Sequence, residues 1–431
     1  MANEIKIKNG KYLYLCDYNQ LINGGIKDLY LEHAGATRKI TIDDVEITEE
    51  MIGQKLATIS QLIFEVTEGC NLRCKYCIYN DNYINQRHLT NLNMDFETAR
   101  KGMDYIHDLI KDRANKTFSL SFYGGEPFLN FKLIQAIVAY GRECFKGWNL
   151  RFNLTTNLTL LTDTILDFLI ENNIAILVSL DGDKVNHDAK RVFINGTGTF
   201  DAIMKNLEKI HAYNPEYFQT KVSFSAVYSL DLSILNLYHF FTDHPMLQQQ
   251  TTRFSGVNTY NTTYYDTYPV DRTKAGQEYL EMNGLILDKV ENKQKLSGVE
   301  AYLFNHFKDA GDWIATRVFT VLFGTCLFDG RLFLDVSGNF HICEKMNNRF
   351  SFGNVEQGFD YTRMKEIADD YIRVVKQHCL TCDIRFLCSR CFVNFCGDGR
   401  FELNPDFCRN KREVVERSLE KYVECKEKNL L

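Results

Sequence analysis

The sequence predicts an α/β fold built on a parallel sheet, and three observations carry that reading. Short β-rich runs alternate with segments of helical apolar spacing between residues 62 and 257. The chain has 431 residues, too many for one ordinary core, which implies two or three domains. Its cysteines are unevenly placed, three at 70–77 and eight between Cys326 and Cys408, so a third region is set apart from the alternating one.

The elements follow in order. Residues 1–60 read as a small α+β segment, with a strand at 12–15, a hairpin turn at Asn23-Gly24-Gly25 and a helix over 48–59. The first strand of the sheet is 62–67. Helix 95–113 places Ala99, Met103, Ile106 and Ile110 on one face. Strand 117–123 alternates, helix 132–145 follows, and strand 150–154 comes next. Helix 162–171 opens at Thr162 as its cap. Strand 174–180 is a buried run, helix 200–212 follows, and strand 221–228, helix 233–241 and strand 252–257 complete the series. Six strands alternating with helices argue for a parallel sheet, and periodicity leaves open whether it is flat or closed.

Composition excludes several classes. Hydrophobic residues make up 45% and charged residues 25%, with a net charge of −6, so no nucleic-acid partner and no anionic-membrane partner is expected. The N-terminus has no apolar stretch of the signal-peptide kind. The run 165–180 is broken by Asp167, Glu171, Asn172 and Asn173 and does not suit a membrane span. Fourteen cysteines without an export signal point to a cytoplasmic chain whose thiols are metal ligands rather than disulfides. Cys16, Cys144 and Cys425 stand alone and read as ordinary thiols.

The densest motif is Cys70-x3-Cys74-x2-Cys77. A 4Fe–4S cluster normally takes four thiolates, so three on one short loop leave an iron open. Zinc would need a fourth ligand, and the nearest histidine, His88, lies well beyond the loop. This spacing, with Tyr76 before the third cysteine, resembles the signature of the radical SAM enzymes. The resemblance implies that the amino and carboxylate groups of S-adenosylmethionine (SAM) bind the open iron and that a 5′-deoxyadenosyl radical results. It also implies a partial (β/α)6 barrel with the cysteine loop after the first strand, and ligands at the strand ends.

Further matches sit at those ends. Gly124-Gly125-Glu126 follows the second strand and resembles the family's motif for the SAM amino group. Thr155-Thr156-Asn157 follows the third, with Leu158 where the family has glycine; Asn157 is the candidate SAM contact. Ser179-Leu180-Asp181-Gly182, then His187-Asp188 and Arg191, resemble the peptide-modifying branch. The resemblance implies that Ser179 meets the ribose hydroxyls and Arg191 the SAM carboxylate. Asp181, His187 and Asp188 read instead as turn and helix-start residues.

The C-terminal spacing Cys326-x16-Cys343, then Cys379-x2-Cys382-x5-Cys388-x2-Cys391-x4-Cys396-x11-Cys408, resembles the SPASM domain, with Cys391 one residue early. The resemblance implies two auxiliary clusters, and three 4Fe–4S clusters in all. Cys379, Cys382, Cys388 and Cys408 would hold one auxiliary cluster. Cys326, Cys343 and Cys391 would hold the other, with Cys396 either its fourth ligand or unligated. A zinc ribbon over 379–391 leaves Cys326, Cys343 and Cys408 unexplained. The implied domains are 1–60, 61–320 and 321–431.

Cys343-Glu344-Lys345, then Phe352-Gly353-Asn354-Val355, together with Cys77-Ile78-Tyr79-Asn80 and Arg87-His88, resemble maturases that cross-link precursor peptides. The expected function is therefore a radical SAM oxidoreductase that forms a thioether or carbon–carbon link in a ribosomally made peptide. Glu344 would be a general base or a salt-bridge partner. The expected partners are a precursor peptide with its leader and an electron donor such as flavodoxin or ferredoxin. Residues 1–60 would bind the leader by strand addition or cap the barrel. The alternatives are an anaerobic sulfatase-maturating enzyme and, in another class, a non-catalytic iron–sulfur or zinc scaffold or electron carrier.

Overall fold

The computed structural model describes residues 4–8, 10–27, 41–43, 45–84, 87–258, 261–314, 318–322 and 325–431. The chain opens with an antiparallel meander of β1 (Glu4–Ile7), β2 (Tyr12–Leu15) and β3 (Gln20–Asn23). The Asn23-Gly24-Gly25 segment is not a hairpin turn. It follows β3 and opens a 310 turn, capped by the Asn23 side chain, which accepts from Gly25 N. A short strand β4 (Thr41–Asp43) precedes α1 (Glu49–Leu56), where Thr48 Oγ1 accepts from Met51 N at 3.2 Å. That bond satisfies one of the helix's orphan donors.

The alternating region folds as its pattern predicts. In order come β5 (Gln61–Thr67), α2 (Phe96–Ile110), β6 (Thr117–Gly124), α3 (Phe131–Cys144), β7 (Asn149–Thr156), α4 (Asp163–Glu171) and β8 (Ala175–Ser179). Then follow α5 (Lys184–Lys190), α6 (Phe200–Tyr213), α7 (Pro215–Lys221), β9 (Val222–Tyr228), α8 (Ile234–Asp243) and β10 (Thr252–Gly256). Strands β5 to β10 are neighbours in chain order and all parallel, the arrangement of a partial (β/α)6 barrel. Caps fix where the helices begin: Asp95 accepts from Thr98 N at 2.7 Å, and Thr162 from Ile165 N at 3.2 Å. Helix α2 buries Ala99, Gly102, Met103, Ile106 and Ile110, the one-sided stripe that packs a helix on a sheet. Phe118 and Phe145 stack beneath it with ring centroids 4.9 Å apart.

Beyond the barrel lie α9 (Tyr264–Thr267), α10 (Arg272–Glu291), α11 (Gly298–Trp313), β11 (Val318–Thr320), β12 (Arg331–Leu334) and β13 (Phe340–His341). Strand β12 pairs parallel to β5, and β13 antiparallel to β12, so the C-terminal region extends the barrel sheet at its first strand. Strand β13 runs back along β12 toward Arg331, so Cys343 follows it toward the start of β5. Two long helices, α12 (Tyr361–His378) and α13 (Pro405–Glu427), frame the remaining cysteines.

The N-terminal meander packs on this last region. Ile5, Ile7, Tyr14 and Cys16 form one buried cluster with Ile384, Leu387, Leu419 and Val423. Asp17 pairs with Arg385 at 3.2 Å, and Lys8 with Glu427 at 2.6 Å. Among the described residues no helix is long and apolar enough to cross a membrane.

Candidate active site

The cysteine loop leaves β5 and is pinned from both sides. Arg73 N donates to Val192 O at 2.8 Å and Lys75 N to Lys190 O at 2.9 Å. Asn80 Nδ2 donates to Lys75 O at 2.9 Å, and Cys77 N to Cys74 O at 3.0 Å. Burial pushes the Cys70 thiol up to about 11 and Cys74 up to about 12. The three sulfurs sense one another, and Arg191, with Nη1 3.8 Å from Cys74 Sγ, pulls Cys74 back down. Buried thiols that hold their protons when free give them up to a metal, and a guanidinium beside the sulfur favours the thiolate. Among the described residues no group of three or more His, Cys, Asp and Glu side chains has the geometry to hold a single metal ion. Zinc would require four ligands around one point. The three-thiol loop, with a cation at one sulfur, fits a multi-iron cluster with one open position.

Glycines bring the next strand end onto that loop. Gly124 has φ +134°, and a Cβ there would lie 2.1 Å from Thr67 O; a Cβ on Gly125 would lie 2.1 Å from Gly69 O. Gly125 N donates to Thr67 O at 2.9 Å and Glu126 N to Gly69 O at 2.8 Å. The close approach that two glycines permit is thus made to the cysteine loop's own main chain.

The Glu126 carboxylate is fully buried and takes three donors: Thr156 Oγ1 and Asn157 N, both at 2.7 Å, and Phe128 N at 3.2 Å. Burial pushes its carboxyl up to about 7 against those bonds. Asn157 Nδ2 donates to Asn71 Oδ1 at 2.9 Å, and Asn157 Oδ1 accepts from Thr159 Oγ1 at 2.7 Å. These side chains lock three strand ends together. Leu158 has φ +59° and is fully buried. It occupies the left-handed conformation that a glycine adopts freely, at a cost of about 1–2 kcal/mol for a side-chain-bearing residue.

Asp181 organises the far side. Its Oδ2 accepts from Arg191 Nε at 2.8 Å and, in a short bond, from Tyr76 OH; its Oδ1 accepts from Val227 N at 2.8 Å. Arg191 lies over the Tyr76 ring at 5.4 Å. The Asp181 carboxylate therefore orients both Arg191 and the aromatic that precedes Cys77, a role beyond the turn chemistry its sequence context suggests. The signal was present in the motif as an aspartate ten residues before a buried arginine. Ser179 ends β8, half-buried and in register with Ser225.

His187 Nδ1 accepts from Asp181 N at 3.1 Å, and its Nε2 faces Thr199 Oγ1 at 2.9 Å. The ring is fully buried, and burial lowers its pKa to about 4. The unfolded imidazole titrates near 6.5, so between those values the unfolded chain binds more protons and stability falls as pH falls. Acidification from pH 7 to pH 5 should cost about 2 kcal/mol through this one group. Denaturant melts of the wild type and of His187→Gln should show that slope flattened in the variant.

The C-terminal cysteines stand in two neighbourhoods. The charges of Cys388, Cys382 and Cys408 raise Cys379, which burial already pushes up to about 12. Cys343 senses Cys391, Cys391 senses Cys326, and Cys396 senses Cys391. Cys396 is buried, with Asn347 Nδ2 3.7 Å from its sulfur. Tyr371, whose OH donates to Arg390 O at 2.9 Å, senses cysteines of both sets.

Glu344 meets the segment that follows the first cysteine loop. Its carbonyl accepts from Tyr79 OH at 3.0 Å and from Arg87 Nη2. Its Oε2 is buried without a hydrogen-bond partner among the described residues. Tyr123, near the end of β6, has its hydroxyl pKa raised by burial and by the charges of Glu344 and Cys77.

Comparison with known proteins agrees with this arrangement. The radical SAM superfamily profile matches residues 64–224. A cysteine-type anaerobic sulfatase-maturating enzyme of Clostridium novyi is 30% identical over 38% of this chain and 43% of its own. The radical SAM cyclopropyl synthase TigE of Paramaledivibacter caminithermalis is 28% identical over 42% of this chain and 37% of its own. The chain thus spans about half the length, or less, of the curated relatives it matches. The solved structure of native anSMEcpe with bound AdoMet superposes with a TM-score of 0.64 over 85% of this chain and 98% of that one, at 20% identity, a likeness of fold.

Proposed function

We propose that this chain, whose residues 64–224 form a radical SAM domain, is a maturase that cross-links a ribosomally made precursor peptide through a thioether or carbon–carbon bond. The observation that carries the reading is the contact between the two cysteine regions: Tyr79, two residues after Cys77, donates to the carbonyl of Glu344, one residue after Cys343, and the half-buried Glu344 keeps one carboxylate oxygen, Oε2, without a hydrogen-bond partner among the described residues. Bound at Cys70, Cys74 and Cys77, a 4Fe–4S cluster with SAM supplies a 5′-deoxyadenosyl radical able to take a hydrogen atom from an unreactive carbon.

The chain's own residues do the rest. Arg191 carries a fixed positive charge beside Cys74, where it suits the SAM carboxylate, and Ser179 stands at a strand end for the ribose. Tyr76 walls the cysteine loop under the hold of Asp181. Gly124, Gly125, Glu126 and Asn157 shape the floor by locking the strand ends to that loop. Glu344 would take the proton, and the auxiliary cluster held at Cys343 would accept the electron, given up when the substrate radical closes the new bond.

Cys326, Cys343, Cys391 and Cys396 are assigned to one auxiliary cluster, and Cys379, Cys382, Cys388 and Cys408 to the other. A flavodoxin- or ferredoxin-type donor supplies the electrons. The division at 1–60, 61–320 and 321–431 belongs to the same reading. The likeness to the Clostridium novyi enzyme supports a second reading, formylglycine formation on a sulfatase.

The test is co-expression with any short open reading frame found beside this gene, followed by mass spectrometry of its peptide. A cross-link removes two hydrogens, whereas aldehyde formation at a cysteine or serine gives the mass of formylglycine. Glu344→Gln should cut product formation about 100-fold or more while SAM cleavage continues. Failure of the anaerobically reconstituted, reduced protein to release 5′-deoxyadenosine from SAM would end the enzyme reading.

A further inference from the structure

Two side chains from the segment after the first cysteine loop reach across to the second cysteine region, and both end on the same atom. Tyr79, two residues beyond Cys77, donates its hydroxyl to Glu344 O at 3.0 Å. Arg87 Nη2 donates to that carbonyl and stands 3.1 Å from Tyr79 OH. The other fork of the guanidinium pairs with Glu65 on β5 at 2.8 Å, with both side chains almost completely buried. Arg87 is also clamped between two rings, 4.6 Å from the Phe333 centroid on β12 and 5.2 Å from that of Tyr79. Glu65 Oε2 in turn accepts from Val336 N at 3.4 Å, just beyond β12.

One buried cation thus ties four segments together: β5, the 77–87 segment, β12 and the Cys343-Glu344 turn. A buried ion pair gives little net stability over an apolar substitute, so its presence calls for another reason. A planar fork held by an anion, two rings and a carbonyl has a single orientation, which a flexible ammonium would not have. What it orients is the main chain at Glu344, whose Oε2 has no hydrogen-bond partner among the described residues.

We infer that Arg87, with Tyr79, is a positioning residue that holds the Cys343-Glu344 turn at a fixed place relative to the first cysteine loop, and so fixes where Glu344 stands. This rests on the proposed function for the clusters and for Glu344. Both act through the main chain of Glu344. Their contribution is geometric, and displacement by about 1 Å of a group that must meet a reacting centre costs about 100-fold in rate.

The test begins without a peptide. In a Cys74→Ala background, which removes the first cluster, the reduced full-length protein should show the EPR signals of the auxiliary clusters alone. Adding Tyr79→Phe, which deletes one hydroxyl, or Arg87→Lys, which keeps the charge and loses the fork, should shift one of those signals and leave the iron content unchanged. In the Cys74-containing protein, with a peptide that the co-expression test shows to be modified, both variants should still cleave SAM but release about tenfold more 5′-deoxyadenosine per modified peptide. Combined with Glu344→Gln, Tyr79→Phe should add no further loss, because it acts through the same group.

Unchanged signals and unchanged coupling in both variants overturn the inference, and a loss of product in Glu344→Gln then still upholds the base. Shifted signals beside a Glu344→Gln variant of full activity uphold the positioning of the turn and remove the base. Absence of auxiliary iron removes the cluster reading and the inference with it.

Discussion

Cys74→Ala should abolish 5′-deoxyadenosine formation while leaving about two-thirds of the iron in place. Cys74 is the thiol that carries the Arg191 contact, at 3.8 Å, and burial raises it to about 12, so as a thiolate it is stable only against a metal. Losing one of three ligands leaves two iron corners unheld, and an open cluster with two thiolates has little to retain it. The other eight clustered cysteines belong to separate neighbourhoods whose charges do not involve Cys74. Of about twelve irons expected for three clusters, about eight should remain. Chromatography of the SAM products and a colorimetric iron assay read both numbers. Cleavage that survives the substitution would place the SAM site elsewhere. Cys144→Ser is the matched control: that thiol lies near Asp104 on the outer helices, and its loss should change neither readout.

The barrel was legible because each strand and helix there carries its own local signal. Helix α2 has Asp95 at its cap and an apolar stripe from Ala99 to Ile110, and β8 is apolar from Ala175 to Val178, with Ile176 and Val178 buried. The cysteine spacing was equally open to reading, since ligand sets are a matter of counting. Three things were not. The hairpin expected at Asn23-Gly24-Gly25 failed because glycines permit a tight turn without choosing which strands it joins. Helix α13 carries readable marks in Asn404, Pro405 and the spaced Val415, Leu419 and Val423, but the cysteine pattern there predicts ligands and no element over 405–427. The roles of Asp181 and Arg87 depend on contacts across 105 and 257 residues, to Tyr76 and to Glu344, which no local pattern encodes.

Breaking the Asp181–Arg191 pair should separate folding from SAM chemistry. Both partners are buried, 2.8 Å apart, and Arg191 has no second carboxylate among its hydrogen bonds in the described residues. Asp181→Asn keeps an acceptor for Val227 N but removes the anion, leaving a buried guanidinium uncompensated at a cost of about 3–5 kcal/mol. Urea melts should show that loss directly. Adding Arg191→Met removes the stranded charge, and most of the stability should return, because apolar replacement of a buried pair is close to neutral. SAM cleavage should not return, since the guanidinium beside Cys74 is then gone, and so is the carboxylate that holds the Tyr76 hydroxyl. A double variant that melts like the wild type and still fails to bind SAM assigns the pair to the cofactor rather than to the fold. One that binds and cleaves SAM normally would take Arg191 out of the site and leave it a structural partner of Asp181.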